Sequence, residues 1–123
     1  EGLLPPVVTA PSFAIRKPAV AVFTLADYVA AGIMSDRQAN ALAAAVSARK
    51  NILVAGGTST GKTTLTNALL AEIAFTGDRV VLIEDTRELQ CAAPNLVSLR
   101  TKEGVASLSD LVRSALRLRP DRI

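Results

Sequence analysis

The sequence predicts an α/β fold built on a parallel sheet, and three observations carry that prediction. "NILVAG" at 51–56 is a compact apolar run that enters glycines, the pattern of a buried parallel strand. After it, Leu65, Leu69 and Ile73 recur at helical spacing, the Gly77–Asp78 pair makes a turn, and "RVVLIED" at 79–85 is a second buried strand. Residues 51–85 therefore read strand, loop, helix, turn, strand, which is one right-handed βαβ unit. Composition agrees: with 50% hydrophobic but only 3% aromatic residues, the core has to be built from Ala, Val, Leu and Ile, as in helix-rich α/β domains.

The remaining elements follow from local signals. Residues 1–22 hold four of the six prolines, and "FAIRKPAVAV" among them has short β-like character, so this stretch reads as the end of a preceding domain or a linker. In "TLADYVAAGIMS", Thr24 and Asp27 stand at capping-box spacing, Leu25, Tyr28 and Val29 share a face, and Gly32 is the stop, which predicts a short helix. Ser35 and Gln38 repeat the box ahead of a stripe of Ala39, Leu42, Ala43 and Val46, predicting a second helix to about Arg49. "NLVSLR" at 95–100 predicts a further strand. Ser107 and Asp110 cap a last helix whose apolar face is Leu108, Leu111, Val112, Ala115 and Leu116, ended by Pro120. We divide the chain into 1–22 and 23–123, the second part holding the phosphate loop described below.

Several function classes are excluded early. A net charge of +3 admits an anionic ligand, but basic patches interleaved with stacking aromatics are missing, so the chain is not read as a direct nucleic-acid reader. The single Cys91 rules out an internal disulfide, and the absence of histidine removes the commonest metal ligand and general base. No apolar run is long enough to span a membrane and no signal segment opens the chain, so we expect a cytoplasmic protein. Glu1 in place of methionine, and Ile123 directly after "RPDR", lead us to expect part of a longer protein.

"GGTSTGKTTL" at 56–65 carries the chemistry. Gly56, four residues, Gly61, Lys62 and Thr63 match the Walker A pattern in full, between a predicted strand and a predicted helix. In that setting the backbone N–H groups across Thr58, Ser59, Thr60, Gly61, Lys62 and Thr63 converge on a phosphate at the positive helix end, and Gly57 leaves room for the turn. Lys62 supplies a cation for the β- and γ-phosphates, the Thr63 hydroxyl is the expected protein ligand of Mg²⁺, and Thr64 reaches the α-phosphate. The bland alternative is a glycine-rich turn with a surface lysine. A glycine is common where Ser59 stands, so the loop is strained if that residue needs positive φ.

"VLIEDTREL" puts Glu84 and Asp85 at the C-terminal end of a strand, the edge at which open parallel sheets bind ligands. Glu84 is a candidate to orient or deprotonate the attacking water, with Asp85 holding the Mg²⁺ water shell or the loop geometry. The competing reading is a solvated acidic turn that also carries Arg87 and Glu88.

Taken together, "FAIRKPA", "GGTSTGKTTLTNALL", "VVLIEDTRELQ" and "SLRTKEGVASLSDLVRSALRLRPDRI" resemble the secretion ATPase superfamily, most closely the TrbB-type conjugal transfer ATPases of type IV secretion systems. The resemblance implies a P-loop NTPase with a RecA-like core, here partial and cut before Walker B, and ATP hydrolysis with Mg²⁺ that powers pilus assembly or DNA or protein transfer. It also implies a homohexameric ring, peripheral at the cytoplasmic face of the inner membrane and partnered by the inner-membrane secretion complex. Within it, Glu84 corresponds to the Asp-box glutamate, Arg16 in "IRKP" to an N-terminal-domain arginine that approaches nucleotide, and Arg100 in "SLRT" to an arginine near subunit contacts. Arginines suit such roles because their delocalised, always-charged fork stabilises charge on a transferring phosphoryl group.

The basic cluster Arg113, Arg117, Arg119 and Arg122 reads as a solvated face, a complement to the helix dipole, or a subunit contact. Ser59–Thr60 departs from the family's usual Gly-Ser. Two other readings stay open: a type IV pilus or type II secretion ATPase, and a nucleotide-binding module without turnover. A small P-loop kinase would need an arginine-rich lid and an acceptor pocket, for which the sequence offers no signal.

Overall fold

The computed structural model describes residues 2–15 and 21–123. Arg16 and most of "IRKPAV" therefore lie outside the described residues. Ahead of them, strands β1 (Gly2–Leu3) and β2 (Ser12–Phe13) form a small antiparallel pair.

Three helices start where local chemistry dictates. α1 (Leu25–Ala30) opens on Thr24, whose hydroxyl accepts from Asp27 N at 3.2 Å while Asp27 Oδ2 accepts from Thr24 N at 2.8 Å. α2 (Asp36–Ser47) opens on the matching Ser35–Gln38 box, and α4 (Leu108–Arg117) on Ser107–Asp110. Each box satisfies backbone donors that no helical carbonyl can reach, and losing such a cap costs roughly 1 kcal/mol. α2 stops at Ser47, two residues short of the expected end, and Arg49 sits at φ +54. α3 (Lys62–Ala71) begins on Gly61, and its chain continues in turns to Gly77.

The sheet pairs β3 (Val80–Glu84) with β4 (Leu96–Arg100) in parallel, Val80 opposite Leu96 and Glu84 opposite Arg100. On the other side of β3, Arg122 forms a single parallel bridge with Val80, and Val81 N donates to Arg122 O at 2.9 Å. Helices cover both faces. Val80 and Leu82 join the core made with Leu25, Val46, Leu69 and Ile73, and the pleat sends Val81 to the opposite face. α4 packs against β3 and β4 with Ala115 fully buried. Burying each such valine contributes about 1.5–3 kcal/mol.

One expected element does not form. Residues 51–56 are no strand, so the predicted βαβ unit is reduced to α3 followed by β3. An apolar run becomes a strand only where another strand offers its N–H and C=O groups. Here a cavity of about 860 Å³ is lined by Asn51, Ile52 and Val54 together with Leu116, Arg122 and Ile123, and Leu53 is 91% exposed. The apolar face expected on α4 is likewise only partly covered, with Leu108, Val112 and Leu116 exposed.

Asp78, buried just before β3, ties distant segments together. Its Oδ1 accepts from Arg49 Nη2 at 2.5 Å and its Oδ2 from Arg122 Nε at 2.6 Å, while Arg122 Nη1 donates to Val46 O at 2.6 Å. Arg122 is thus part of a buried ion cluster, unlike the exposed Arg113, Arg117 and Arg119. The hydrogen bond from Arg122, more than any other influence, holds the Asp78 carboxyl below its ordinary value, against a smaller opposing effect of burial. A carboxylate so lowered contributes its full stability above the ordinary carboxylate range and loses it as pH falls through the lower folded-state value. Asp78→Asn is therefore expected to be less stable than wild type at pH 7, with the gap narrowing below about pH 4. Urea denaturation of both proteins across pH checks this, and a gap independent of pH would refute it.

Candidate functional site

The site is assembled at the start of α3. Gly61 is the helix N-cap at φ +86, a conformation that only glycine adopts without strain. Its carbonyl accepts the first helical bond, from Leu65 N at 2.9 Å, which leaves the N–H groups of the first turn unpaired within the helix. Lys62 and Thr63 are half-buried on that turn, below an exposed loop running from Gly56 to Gly61.

The loop braces itself. Thr60 Oγ1 donates to Gly57 O at 2.9 Å, and Lys62 Nζ donates to the same carbonyl. A Cβ at Gly56 would lie 2.6 Å from Thr60 Oγ1, so a larger residue there would displace the Thr60 hydroxyl from Gly57 O. Ser59 does adopt positive φ, +60, which costs an L-residue roughly 1–2 kcal/mol. Ser59→Gly removes that strain and adds unfolded-state entropy, so a net gain of up to about 1 kcal/mol is expected in urea denaturation. A loss of stability would mean that the serine side chain contributes more than its backbone costs.

The acidic residues divide their tasks. Glu84, at the end of β3, is buried, and its Oε1 accepts from Glu88 N at 2.9 Å and Leu89 N at 2.8 Å. Asp85 is exposed and accepts from the Thr101 hydroxyl. The carboxylate that meets the start of α3 is Glu88, whose Oε2 accepts from Thr63 Oγ1 at 3.0 Å. Arg100 ends β4 beside Glu84 and is exposed. Thr64 is exposed on the first turn of α3.

Sequence reasoning treated Glu88 only as part of a solvated turn and did not single out Asn67. Asn67 is buried on α3 one turn after Thr63; its Nδ2 donates to Glu88 O at 3.3 Å and its Oδ1 accepts from Gln90 N at 2.9 Å. The i, i+4 spacing of Thr63 and Asn67 on one helix face was the available signal. Among the described residues no group of three or more acidic or Cys side chains could hold a metal ion. The Thr63 hydroxyl nonetheless fits Mg²⁺, which takes few protein ligands and completes its shell with phosphate and water. No helix among them is long and apolar enough to cross a membrane.

Comparison with known proteins adds a second line. The family model described as type II/IV secretion system protein matches residues 3–123. The conjugal transfer protein TrbB of Rhizobium radiobacter and the probable conjugal transfer protein TrbB of Sinorhizobium fredii are each 51% identical over 125 residues, covering all of this chain and 38% of each relative. The type IV secretion system protein VirB11 of Bartonella quintana is 50% identical over 84 residues, covering 64% of this chain and 23% of that protein. The chain thus spans about two fifths of the length of the TrbB relatives it matches, 38% in each case.

Proposed function

We propose, on the premise that this chain belongs to the type II/IV secretion system protein family, that residues 56–63 bind the triphosphate of ATP and that the chain is the nucleotide-binding part of an ATPase motor in conjugative type IV secretion. The observation that carries the reading is the meeting of the Gly61-capped start of α3, Lys62, Thr63 and Glu88 at one place. Lys62 exchanges the Gly57 carbonyl for phosphate oxygens, and the first-turn N–H groups of α3 hold the same phosphates. Thr63 donates its proton to Glu88, which leaves its oxygen lone pairs for Mg²⁺. When bound, Mg²⁺ neutralises charge on the phosphates.

In this reading Glu84 and Asp85 stay in the catalytic set, Glu84 at the least by shaping the turn that presents Glu88. Arg16 and Arg100 are arginines that meet nucleotide or a neighbouring subunit. The names of the TrbB and VirB11 relatives support conjugative or type IV secretion over a pilus or type II machine. The RecA-like core, the division at residue 22, the hexameric ring, the inner-membrane complex and the peripheral cytoplasmic location complete the proposal. A second reading, nucleotide binding without turnover, is favoured by the unpaired segment at 51–56 and its adjoining cavity. Calorimetric ATP binding and steady-state hydrolysis with Mg²⁺ separate the two. Binding with turnover supports the motor, binding alone supports the second reading, and failure to bind any nucleoside triphosphate overturns both.

A further inference from the structure

Residues 88–90 belong to the stretch between β3 and β4, which has no secondary structure, and yet they are tied down unusually completely. Glu84 takes the N–H groups of Glu88 and Leu89 from the strand side. Asn67 takes the carbonyl of Glu88 and the N–H of Gln90 from the helix side. The backbone on both sides of the Glu88 side chain is therefore held, and that side chain carries the carboxylate that meets Thr63. A carboxamide suits this place because it donates to a carbonyl with one atom and accepts from an N–H with the other while staying uncharged.

We infer that Asn67 is a positioning residue: it registers the 88–90 segment on α3 so that Glu88 accepts the Thr63 proton and turns the Thr63 oxygen lone pairs toward a divalent cation. The inference rests on the proposal that this loop binds a nucleoside triphosphate with Mg²⁺. Asn67 touches no phosphate in this scheme and acts only through Glu88. Its effect should therefore appear in the cation's contribution to binding and not in the phosphate loop's own affinity. Outer partners of a metal ligand are typically worth 10- to 100-fold in metal affinity, and a residue one step further out should be worth about tenfold or less.

The test is ATP affinity, by calorimetry, with Mg²⁺ and with EDTA. Asn67→Asp keeps the size and the acceptor but replaces the donor with an oxygen facing Glu88 O. In EDTA its affinity should stay within about twofold of wild type, while the gain on adding Mg²⁺ should fall about threefold to tenfold. In a Glu88→Ala background the same substitution should change the Mg²⁺ gain no further, because the two residues act as one unit. Equal loss with Mg²⁺ and with EDTA would mean that Asn67 only supports the fold and would overturn the inference, as would an unchanged Mg²⁺ gain. If wild type binds no ATP, the functional proposal itself fails, a separate outcome.

Should the buried aspartate prevent folding, Asn67→Ala serves for the same titration. Hydrogen exchange on wild type needs no variant: the Gln90 amide should exchange at least about tenfold more slowly than in an unstructured peptide. Exchange of that amide at the unstructured rate would also overturn the inference.

Discussion

Lys62→Ala is expected to weaken binding of ATP with Mg²⁺ about 10- to 100-fold, the range for losing hydrogen bonds made by a charged group. Lys62 is half-buried as a residue and its ammonium already donates to Gly57 O, so its stem is in place before any phosphate arrives. The loop itself should survive the substitution. Gly57 O keeps the Thr60 hydroxyl, and α3 keeps Gly61 and its first bond from Leu65 N. Thermal unfolding should therefore change little while affinity collapses, and that separation is the signature of a residue used for ligand. Calorimetry of both proteins, with circular dichroism melts beside it, checks the expectation. Equal affinity in the two proteins would leave the loop as an ordinary glycine-rich turn.

Glu84→Leu is expected to destabilise the fold by about 2–5 kcal/mol, because two part-buried backbone donors would each lose this acceptor. Those donors are Glu88 N and Leu89 N, both on Oε1 of one carboxylate. Glu84→Gln should cost far less, since the amide oxygen accepts the same two bonds. The pair of variants separates shape from chemistry. If Glu84→Gln keeps near-normal stability and turnover, the residue acts by holding the turn and its proposed part in orienting water is removed. If stability holds while turnover drops sharply, the negative charge itself takes part in the reaction. Urea denaturation and steady-state hydrolysis, run on wild type and both variants, give the two readouts.

An element is legible in the sequence when the interactions that form it reach only a few residues along the chain. Thr24 with Asp27, Ser35 with Gln38 and Ser107 with Asp110 act across three residues, so the starts of α1, α2 and α4 were legible without any knowledge of the fold. The glycine-dependent turn at 56–61 was legible for the same reason. Gly61 at φ +86 and Ser59 at φ +60 express what five or six adjacent residues demand of the backbone. The strand at Leu96–Arg100 and the parallel sense of the sheet are legible in the sequence, whereas the register on β3 is not.

The candidate site is legible in part: the Gly56–Thr63 pattern and the acidic strand end stand in the sequence, but which acid meets Thr63 does not. Glu88 reaches Thr63 across 25 residues of sequence, and Asn67 reaches Gln90 across 23. Arg122 looked like one more cation in a basic cluster until Asp78, 44 residues away, placed it in a buried pair.

By itself, the sequence determined the helix starts, the glycine-dependent loop and the family, all properties of residues close together in the chain. Tertiary structure alone decided that Glu88 and not its neighbours faces Thr63, that Asn67 clamps the segment beyond it, and that residues 51–56 stay unpaired. The physical reason is that a cap or a tight turn is satisfied by its own neighbours, while a strand or a buried carboxylate takes its state from whichever distant partner the fold brings to it.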